Sequence, residues 1–216
     1  MTRNGVFRSL KMGIQVLRTD GLVATLRRGI HAIGWYRCML IYGGARDQWP
    51  FQPTSLDLTF EALEGSNIHE YLLMREDQTE EGVRFRQERG DQCLMVRCEN
   101  RLIGMCWLSI GSVWVDYLQC EVTLAPGIGF FSDSYVLPEF RGHRVSESLA
   151  PKSFDWFETQ GCDRVIGMIW TENAVSLYRA RRQGYNGIGL ISRWKFGPWV
   201  RFVLSLDEAF EGVAQV

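Results

Sequence analysis

The stretch Ser132–Leu149, SDSYVLPEFRGHRVSESL, combines a strand, a tight turn and the start of a helix. Residues that favour strands precede Pro138, which cannot donate to a sheet ladder, so we expect the strand to end there. Gly142 follows in a turn, and from Val145 apolar residues recur at helical intervals. The amides of residues 142–146 should therefore form a helix N-terminus, which favours an anion such as a pyrophosphate.

A second well-bounded helix is predicted in the stretch Thr171–Tyr185, TENAVSLYRARRQGY. Asn173 is a good N-cap residue, and Gly184 suits the position just after the last helical turn. The residues 165–170 before this stretch read as a strand. The sequence thus predicts a strand, helix, strand, helix order over its second half.

These two stretches resemble the two signatures of the GNAT superfamily of acyl-CoA-dependent N-acyltransferases. The first signature is matched at Val136, Pro138, Phe140, Arg141 and Gly142, and the second at Asn173, Gly184 and Tyr185. The resemblance implies an α/β fold with flanking helices and a mixed, mainly antiparallel central sheet. In this fold a parallel strand pair splays apart, and the acyl-CoA thioester lies in the gap.

The resemblance also implies the co-substrate, which is acetyl-CoA or another acyl-CoA, and the residues around it. These are Tyr135, Val136, Arg141, Gly142, His143, Arg144, Val145, Ser146 and Asn173. Two positions depart from the family pattern, because Arg144 stands at a usual glycine and Ser146 at a usual glycine or alanine. Arg144 fits if its side chain points away from the phosphates or folds back to clamp them. Asn173 either reaches the pantetheine or only caps its helix.

The catalytic residues are less clearly marked. The acid that the family often uses is a tyrosine, and the matching position here is Ala180. Tyr178 is the nearest candidate, although two residues along a helix turn it by about 200°, which favours core packing instead. Asp133 is the candidate general base and Glu121 the second. Asp133 could instead bind loop amides, and Glu121 could face solvent.

Composition limits the alternatives. The 216 residues suffice for one domain with an extension, and a net charge of −1 gives no case for nucleic acid binding. The six cysteines form no C-x-x-C pair and no ligand cluster, so we expect buried free thiols and no metal site. No apolar run has the length of a signal or membrane span. We therefore predict a cytoplasmic protein.

The N-terminal arm differs from the rest of the chain. We predict a basic amphipathic helical extension with its linker over residues 1–50, and the acyltransferase domain over residues 51–216. The basic residues of this arm are Arg3, Arg8, Lys11, Arg18, Arg27, Arg28 and Arg37. The arm would pack on its own domain or on a second subunit of a homodimer, or it would meet an anionic membrane surface or an acyl carrier protein.

The function predicted from these patterns is N-acyl transfer, most simply of acetyl from acetyl-CoA to a primary amine of a small molecule or protein. A catalytically silent protein that binds acyl-CoA or a partner is one alternative, and an acyltransferase with acyl carrier protein as donor is another. The acceptor pocket should lie between the early helices and the last hairpin, which carry Phe85, Trp194 and Trp199.

Overall fold

A computed structural model describes residues 29, 34–49 and 53–216 of the chain. The helices predicted in the N-terminal arm lie outside these described residues, as do residues 50–52 of the predicted linker. Within the described ranges, no helix is both long enough and apolar enough to span a bilayer.

The described residues form eleven strands and four α-helices. The strands are β1 (Tyr36–Ala45), β2 (Leu58–Ala62), β3 (Gln92–Cys98), β4 (Arg101–Ile110), β5 (Ser112–Val115), β6 (Cys120–Leu124), β7 (Ile128–Val136), β8 (Arg164–Trp170), β9 (Gly187–Phe196), β10 (Trp199–Leu206) and β11 (Ala214–Gln215). The helices are α1 (Ile68–Met74), α2 (Glu80–Glu88), α3 (Val145–Thr159) and α4 (Ala174–Gln183).

Eight strands build the main sheet, in the spatial order β10-β9-β1-β8-β7-β4-β3-β2, and β11, β6 and β5 form a smaller sheet. Neighbouring strands of the main sheet are antiparallel over the described residues, with the exception of β7 and β8. These two are parallel because α3 carries the chain back from the end of β7 to the start of β8. The fold class predicted from the sequence is confirmed.

Helix α3 packs closely on the centre of the sheet. Leu149 and Phe157 of α3 are fully buried and lie in one apolar cluster with Val165 of β8. Gly129 of β7 permits this approach, because a side chain there would place its Cβ only 2.4 Å from the Phe157 ring. The start of α3 is thereby held at a fixed position relative to the end of β7.

Strand β1 lies between β8 and β9 in the middle of the sheet, and the sequence analysis placed its residues in the extension. Its side chains alternate as in a strand buried on both faces. Met39 and Ile41 belong to one core cluster, whereas Tyr42 packs against another. Arg37 gives the segment the basic character of the arm, and its guanidinium donates to the Tyr117 carbonyl at 2.6 Å. The extension therefore ends before β1.

Two tight hairpins connect neighbouring strands of the main sheet. Glu99 and Asn100 join β3 to β4 with φ angles of 50° and 65°, the left-handed values that a tight hairpin turn requires. Gly197, at φ 59°, lies between β9 and β10. The second of these is the last hairpin that the sequence indicated.

Candidate active site

The parallel strands β7 and β8 separate at one point of the sheet. Their last paired residues are Phe131 and Gly167. Among the described residues, β7 pairs beyond this point only with β4, and β8 pairs only with β1. The facing edges of the two strands therefore have no strand partner within the described part of the chain, and a cavity of about 200 Å³ opens between them. We call this opening the fork and its cavity the fork cavity.

The fork cavity is lined by residues from β1, β7, β8, α3 and α4, together with neighbouring loops. They are Tyr42, Trp49, Phe131, Ser132, Asp133, Ser134, Ser146, Ala150, Met168, Ile169, Trp170, Asn173, Ser176, Arg179, Ala180 and Tyr185. Of the residues predicted as functional, the structure brings Asp133, Ser146 and Asn173 together here. The remaining cofactor residues predicted from the sequence lie along β7, in the loop that leads into α3 and at the first residue of α3.

Gly167 is required at the base of the fork. A Cβ on this residue would lie 2.5 Å from the Tyr42 hydroxyl and 3.1 Å from the Phe131 carbonyl oxygen. The missing side chain lets the Tyr42 ring cross β8 and reach the cavity. The hydroxyl of Tyr42 therefore stands close to the point where β7 and β8 part.

A β-bulge lies in β7 immediately after the fork opens. Ser132 pairs with Trp107 and Tyr135 pairs with Met105, so two residues of β7 oppose one residue of β4. Asp133 lies in this bulge with a φ of 47°, a left-handed conformation that is uncommon outside glycine. A bulge leaves one residue outside the ladder and turns its backbone groups in a new direction.

Two arginines fix the Asp133 carboxylate. Arg75 donates to one oxygen at 2.9 Å and Arg86 to the other at 3.1 Å. Arg75 is buried and also binds Asp77, and this hydrogen bond holds the pKa of Asp77 well below its usual range. Because both Asp133 oxygens are paired, the carboxylate is held firmly in the bulge.

The loop before α3 has the backbone shape that an anion site needs. Gly142 and Arg144 adopt positive φ angles of 87° and 60°. The Ser148 amide donates to the Arg144 carbonyl at 3.1 Å, so the amides of Val145 and Ser146 precede this first helical hydrogen bond. Thr54 steadies the loop by donating to the His143 carbonyl at 2.6 Å. The exposed Arg144 thus takes a left-handed conformation at the usual glycine position.

Asn173 caps its helix, which is one of the two roles predicted for it. Its side-chain oxygen accepts a hydrogen bond from the Ser176 amide at 3.1 Å. Gly184 ends α4 with a φ of 75°, as the sequence indicated. Since the cap uses only the oxygen of Asn173, and the residue lines the fork cavity, its amide nitrogen has donors to offer a ligand.

Two tyrosines line the fork cavity, and neither is the tyrosine that was predicted as the acid. Ala180 lines the cavity and is buried, but it has no hydroxyl. Tyr178 does not line it; its side chain is 61% exposed, and Arg182 donates to its hydroxyl at 3.5 Å. Tyr42 and Tyr185 do line the cavity, with ring centroids 5.3 Å apart. Burial raises the pKa of Tyr185 to about 12 and that of Tyr42 further still.

Tyr42 and Trp49 are two of the cavity residues that were not predicted from the sequence. Both come from the segment assigned to the extension and linker. Trp49 is buried and packs edge-on against Tyr185 at 5.2 Å, and its indole nitrogen donates to the Gly44 carbonyl at 3.2 Å. The continuous apolar run at residues 38–42, Cys-Met-Leu-Ile-Tyr, followed by Gly43 and Gly44, was the signal that could have revealed a buried strand.

A second cavity of about 320 Å³ lies beside the fork cavity, and Ser132 lines both. We call it the acceptor cavity. Its walls are Gln78, Gly82, Phe85, Arg86, Arg89, Asp91, Trp107, Ser109, Val113, Trp114 and Asp116, in addition to Ser132. Phe85 was predicted near the acceptor, whereas Trp194 and Trp199 line a different groove.

Glu121 stands outside both cavity linings. Its carboxylate accepts from the Ser112 hydroxyl at 2.7 Å and from Arg89 at 3.5 Å, and its side chain is largely exposed. Its carboxylate contacts the acceptor cavity through Arg89, and its backbone pairs with that of Trp114, another residue of the lining.

The sequence matches the model of the acetyltransferase (GNAT) family over residues 56–185. This match spans more than half of the chain, so the protein belongs to the GNAT acetyltransferase family. The resemblance stated from the sequence is confirmed. Strand β1, with Tyr42, lies outside the matched residues. Among curated proteins, none matches this sequence significantly.

Solved structures share the fold at low sequence identity. The aminoglycoside N-acetyltransferase AAC(6')-Iy in complex with CoA is 16% identical, with a TM-score of 0.51, and the match covers 70% of this chain and 98% of that one. A putative GNAT acetyltransferase from Novosphingobium aromaticivorans is 16% identical, with a TM-score of 0.51 and coverages of 73% and 62%. A functionally unknown conserved protein from Staphylococcus epidermidis is 14% identical, with a TM-score of 0.51 and coverages of 78% and 65%.

Proposed function

We propose that this protein transfers an acyl group, most simply acetyl, from acetyl-CoA to a primary amine. The observation that carries the proposal is the fork cavity, which joins two unpaired strand edges to the N-terminus of α3. Strand edges can pair with the amides of pantetheine, and a helix N-terminus favours a diphosphate. Family membership supports the same donor.

Each part of the donor has a matching set of groups. The diphosphate lies at the amides of Val145 and Ser146, with Arg144 as a cationic neighbour. The pantetheine runs between β7 and β8, where the Asn173 amide nitrogen donates to it. The thioester then lies at the base of the fork, near the Tyr42 hydroxyl and the β7 bulge.

Transfer begins when the amine nitrogen attacks the thioester carbonyl from the acceptor cavity, past Ser132. A backbone amide freed by the bulge stabilises the oxyanion of the tetrahedral intermediate. The C–N bond forms, the C–S bond breaks, and the nitrogen loses a proton to solvent. The Tyr42 hydroxyl donates a proton to the departing thiolate and regains one from solvent.

The three catalytic residues predicted from the sequence differ in their surroundings. The arginine pairs of Asp133 favour a role in holding the bulge, so its action as a base stays a prediction. Glu121 lies outside both cavity linings, and Tyr178 points to solvent. We therefore assign the role of proton donor to Tyr42. Glu121 and Tyr178 make no contact with the acyl donor in this proposal.

Two measurements test the proposal together. Isothermal titration of the protein with CoA and with acetyl-CoA should show one site, and release of free thiol should rise when primary amines are added. The absence of CoA binding would overturn the proposed donor. Binding without turnover over a broad amine panel would favour the second candidate, a silent acyl-CoA-binding protein, for which the missing hydroxyl at Ala180 is the supporting observation.

The basic arm is the reason to consider an acyl carrier protein as the alternative acyl donor. It is tested by removing residues 1–33, which leaves β1 intact. Loss of transfer from an acylated carrier with unchanged acetyl-CoA binding would support the carrier as donor. Unchanged transfer from both donors would exclude a role for the arm in donor choice.

A further inference from the structure

The last hairpin of the chain carries a groove that the proposed acyl transfer does not use. This groove has a volume of about 430 Å³ and shares no lining residue with the fork cavity or the acceptor cavity. The residues that line it come from β9 and β10: Trp194, Phe196, Trp199, Val200, Arg201 and Val203. We call this surface the hairpin groove.

The hairpin groove is aromatic and open to solvent. Trp199 is 79% exposed and Phe196 is 51% exposed, and the rings of Trp194 and Phe196 stack with their centroids 6.2 Å apart. The strand register sets Trp199 opposite Phe196 and Arg201 opposite Trp194, so these four side chains lie on one face of the sheet. Contiguous exposed aromatic surface of this kind marks an interaction site.

The charged side chains of the hairpin all carry the same sign. Residues 187–206 contain Arg193, Lys195 and Arg201 and no acidic residue. Arg193 is buried, whereas Lys195 and Arg201 are exposed. Neither of these two exposed side chains forms a salt bridge within the part of the chain that the structure describes. The hairpin therefore favours a negatively charged partner.

The basic N-terminal arm joins the described structure beside this groove. Residues 1–33 contain six arginine or lysine residues and a single acidic residue, Asp20. Shortly after them, the ring of Trp35 lies 5.7 Å from that of Phe196, and the Trp35 carbonyl accepts from the Lys195 amide at 2.8 Å. The positive charge of the arm is thus attached next to the positive charge of the hairpin.

Exposed tryptophans among unpaired cations are typical of proteins that bind anionic bilayers. A tryptophan ring suits the boundary between headgroups and acyl chains, because it is apolar with one polar N–H group. Each lysine or arginine near an anionic leaflet strengthens binding about fivefold. A second copy of the chain fits the groove less well, since it would bring two positively charged surfaces together.

We propose that the hairpin groove and the basic arm beside it bind the surface of an anionic lipid bilayer. Trp199 and Phe196 enter the headgroup layer, and Lys195, Arg201 and the arm meet the lipid phosphates. This inference does not depend on the proposed acyl transfer, because none of the groove residues lines the fork cavity or the acceptor cavity.

Cosedimentation of the full chain with lipid vesicles tests the proposal. One set of vesicles is phosphatidylcholine alone, and the other is an equimolar mixture of phosphatidylcholine and phosphatidylglycerol. We expect binding to the anionic vesicles to be at least about tenfold stronger than binding to the neutral ones, and to weaken as salt is added. Equal binding to both sets, or no binding to the anionic set, overturns the proposal.

Single substitutions show whether the hairpin groove is the surface that binds. We expect Trp199→Ala to weaken binding to the anionic vesicles about tenfold and Arg201→Gln about fivefold. Trp114→Ala is the matched control and should bind as the wild type, because Trp114 is also an exposed tryptophan but lines the acceptor cavity. Wild-type binding by both hairpin variants would rule out the hairpin groove as the binding surface.

Tryptophan fluorescence reports insertion directly. Lipids with brominated acyl chains quench tryptophans that enter the bilayer, so Trp199→Phe should keep most of the binding and lose part of the quenching. Quenching that is unchanged in this variant would contradict the insertion of Trp199.

Other occupants of the hairpin groove give different results without lipid. The proposal predicts that the wild type and Trp199→Ala sediment alike. A dimer that Trp199→Ala converts into monomers would assign the groove to a second copy, and binding of an acyl carrier protein that Trp199→Ala abolishes would assign it to that protein. Either result overturns the proposal.

Discussion

The fork cavity and the acceptor cavity meet at Ser132, and they are built in different ways. The fork cavity depends on backbone: two strand edges without partners, a bulge and a helix N-terminus. The acceptor cavity depends on side chains from α2, β4, β5 and adjoining loops. Backbone geometry follows from the fold and is shared within a family, whereas a wall of side chains can change one residue at a time.

The largest effect should come from the one hydroxyl that β1 contributes to the fork cavity. We expect Tyr42→Phe to lower kcat about a hundredfold, because the departing thiolate loses its proton donor, while the KM for acetyl-CoA changes little. Steady-state kinetics with a good amine acceptor measure both quantities. Tyr178→Phe is the matched control and should behave as the wild type, since its ring points to solvent.

Equal kcat values for Tyr42→Phe and the wild type would show that the Tyr42 side chain does not donate the proton during acyl transfer in the fork. The thermal unfolding of the variant must match that of the wild type for this conclusion to hold.

The width of the fork provides the next test of the comparison between the fork cavity and the acceptor cavity. Gly167→Ala forces the new Cβ against the Tyr42 hydroxyl and the Phe131 carbonyl, and overpacking of this kind costs about 1–3 kcal/mol. Urea unfolding should show this loss, and titration with CoA should show weaker binding. Gly187→Ala is the control, because its Cβ would lie at an ordinary 3.4 Å from Leu40. Similar losses in both variants would contradict a special role for Gly167.

A negative charge at the start of α3 tests whether the backbone amides of the fork cavity bind the diphosphate. Ser146→Glu places a carboxylate beside the predicted diphosphate, and we expect the Kd for CoA to rise about tenfold. Thr159→Glu adds the same charge at the exposed far end of α3 and should leave the Kd unchanged. If both variants bind CoA as tightly as the wild type, the diphosphate does not lie at this helix end.

The smallest effect concerns the stability cost of the acceptor cavity. Burial raises the pKa of Asp91, so the native state favours its neutral form. The charged form is therefore unfavourable to folding above this raised pKa, and the penalty vanishes below the unfolded value of about 3.9. Asp91→Asn should increase the free energy of unfolding slightly at pH 7 and leave it unchanged near pH 3. Urea titrations at both pH values measure this, and a loss of stability at pH 7 would contradict the assignment.

The same contrast explains what the sequence could predict. The parallel strand pair and the two helices that follow its strands carry local signals: caps, a proline and residues that tolerate positive φ. The family match confirms the class of protein that these signals indicated. Local chemistry therefore sufficed for the backbone around the fork.

Long-range pairing was not predictable in the same way. Strand β1 is defined by its pairing with β8 and β9, which lie more than a hundred residues away in the sequence. Its Arg37 also resembled the basic residues of the N-terminal arm. Tyr42 and Trp49 were missed for this reason. The arginine pairs of Asp133 likewise join residues far apart in the chain, so the sequence could not show that its carboxylate is held on both sides.

The most direct test is a crystal structure of the protein grown with CoA. The diphosphate should lie within hydrogen-bond distance of the Val145 and Ser146 amides, with pantetheine between β7 and β8 and the thiol near the Tyr42 hydroxyl. A fork filled by the protein's own side chains, or CoA bound at another surface, would contradict the proposed function and leave only the fold.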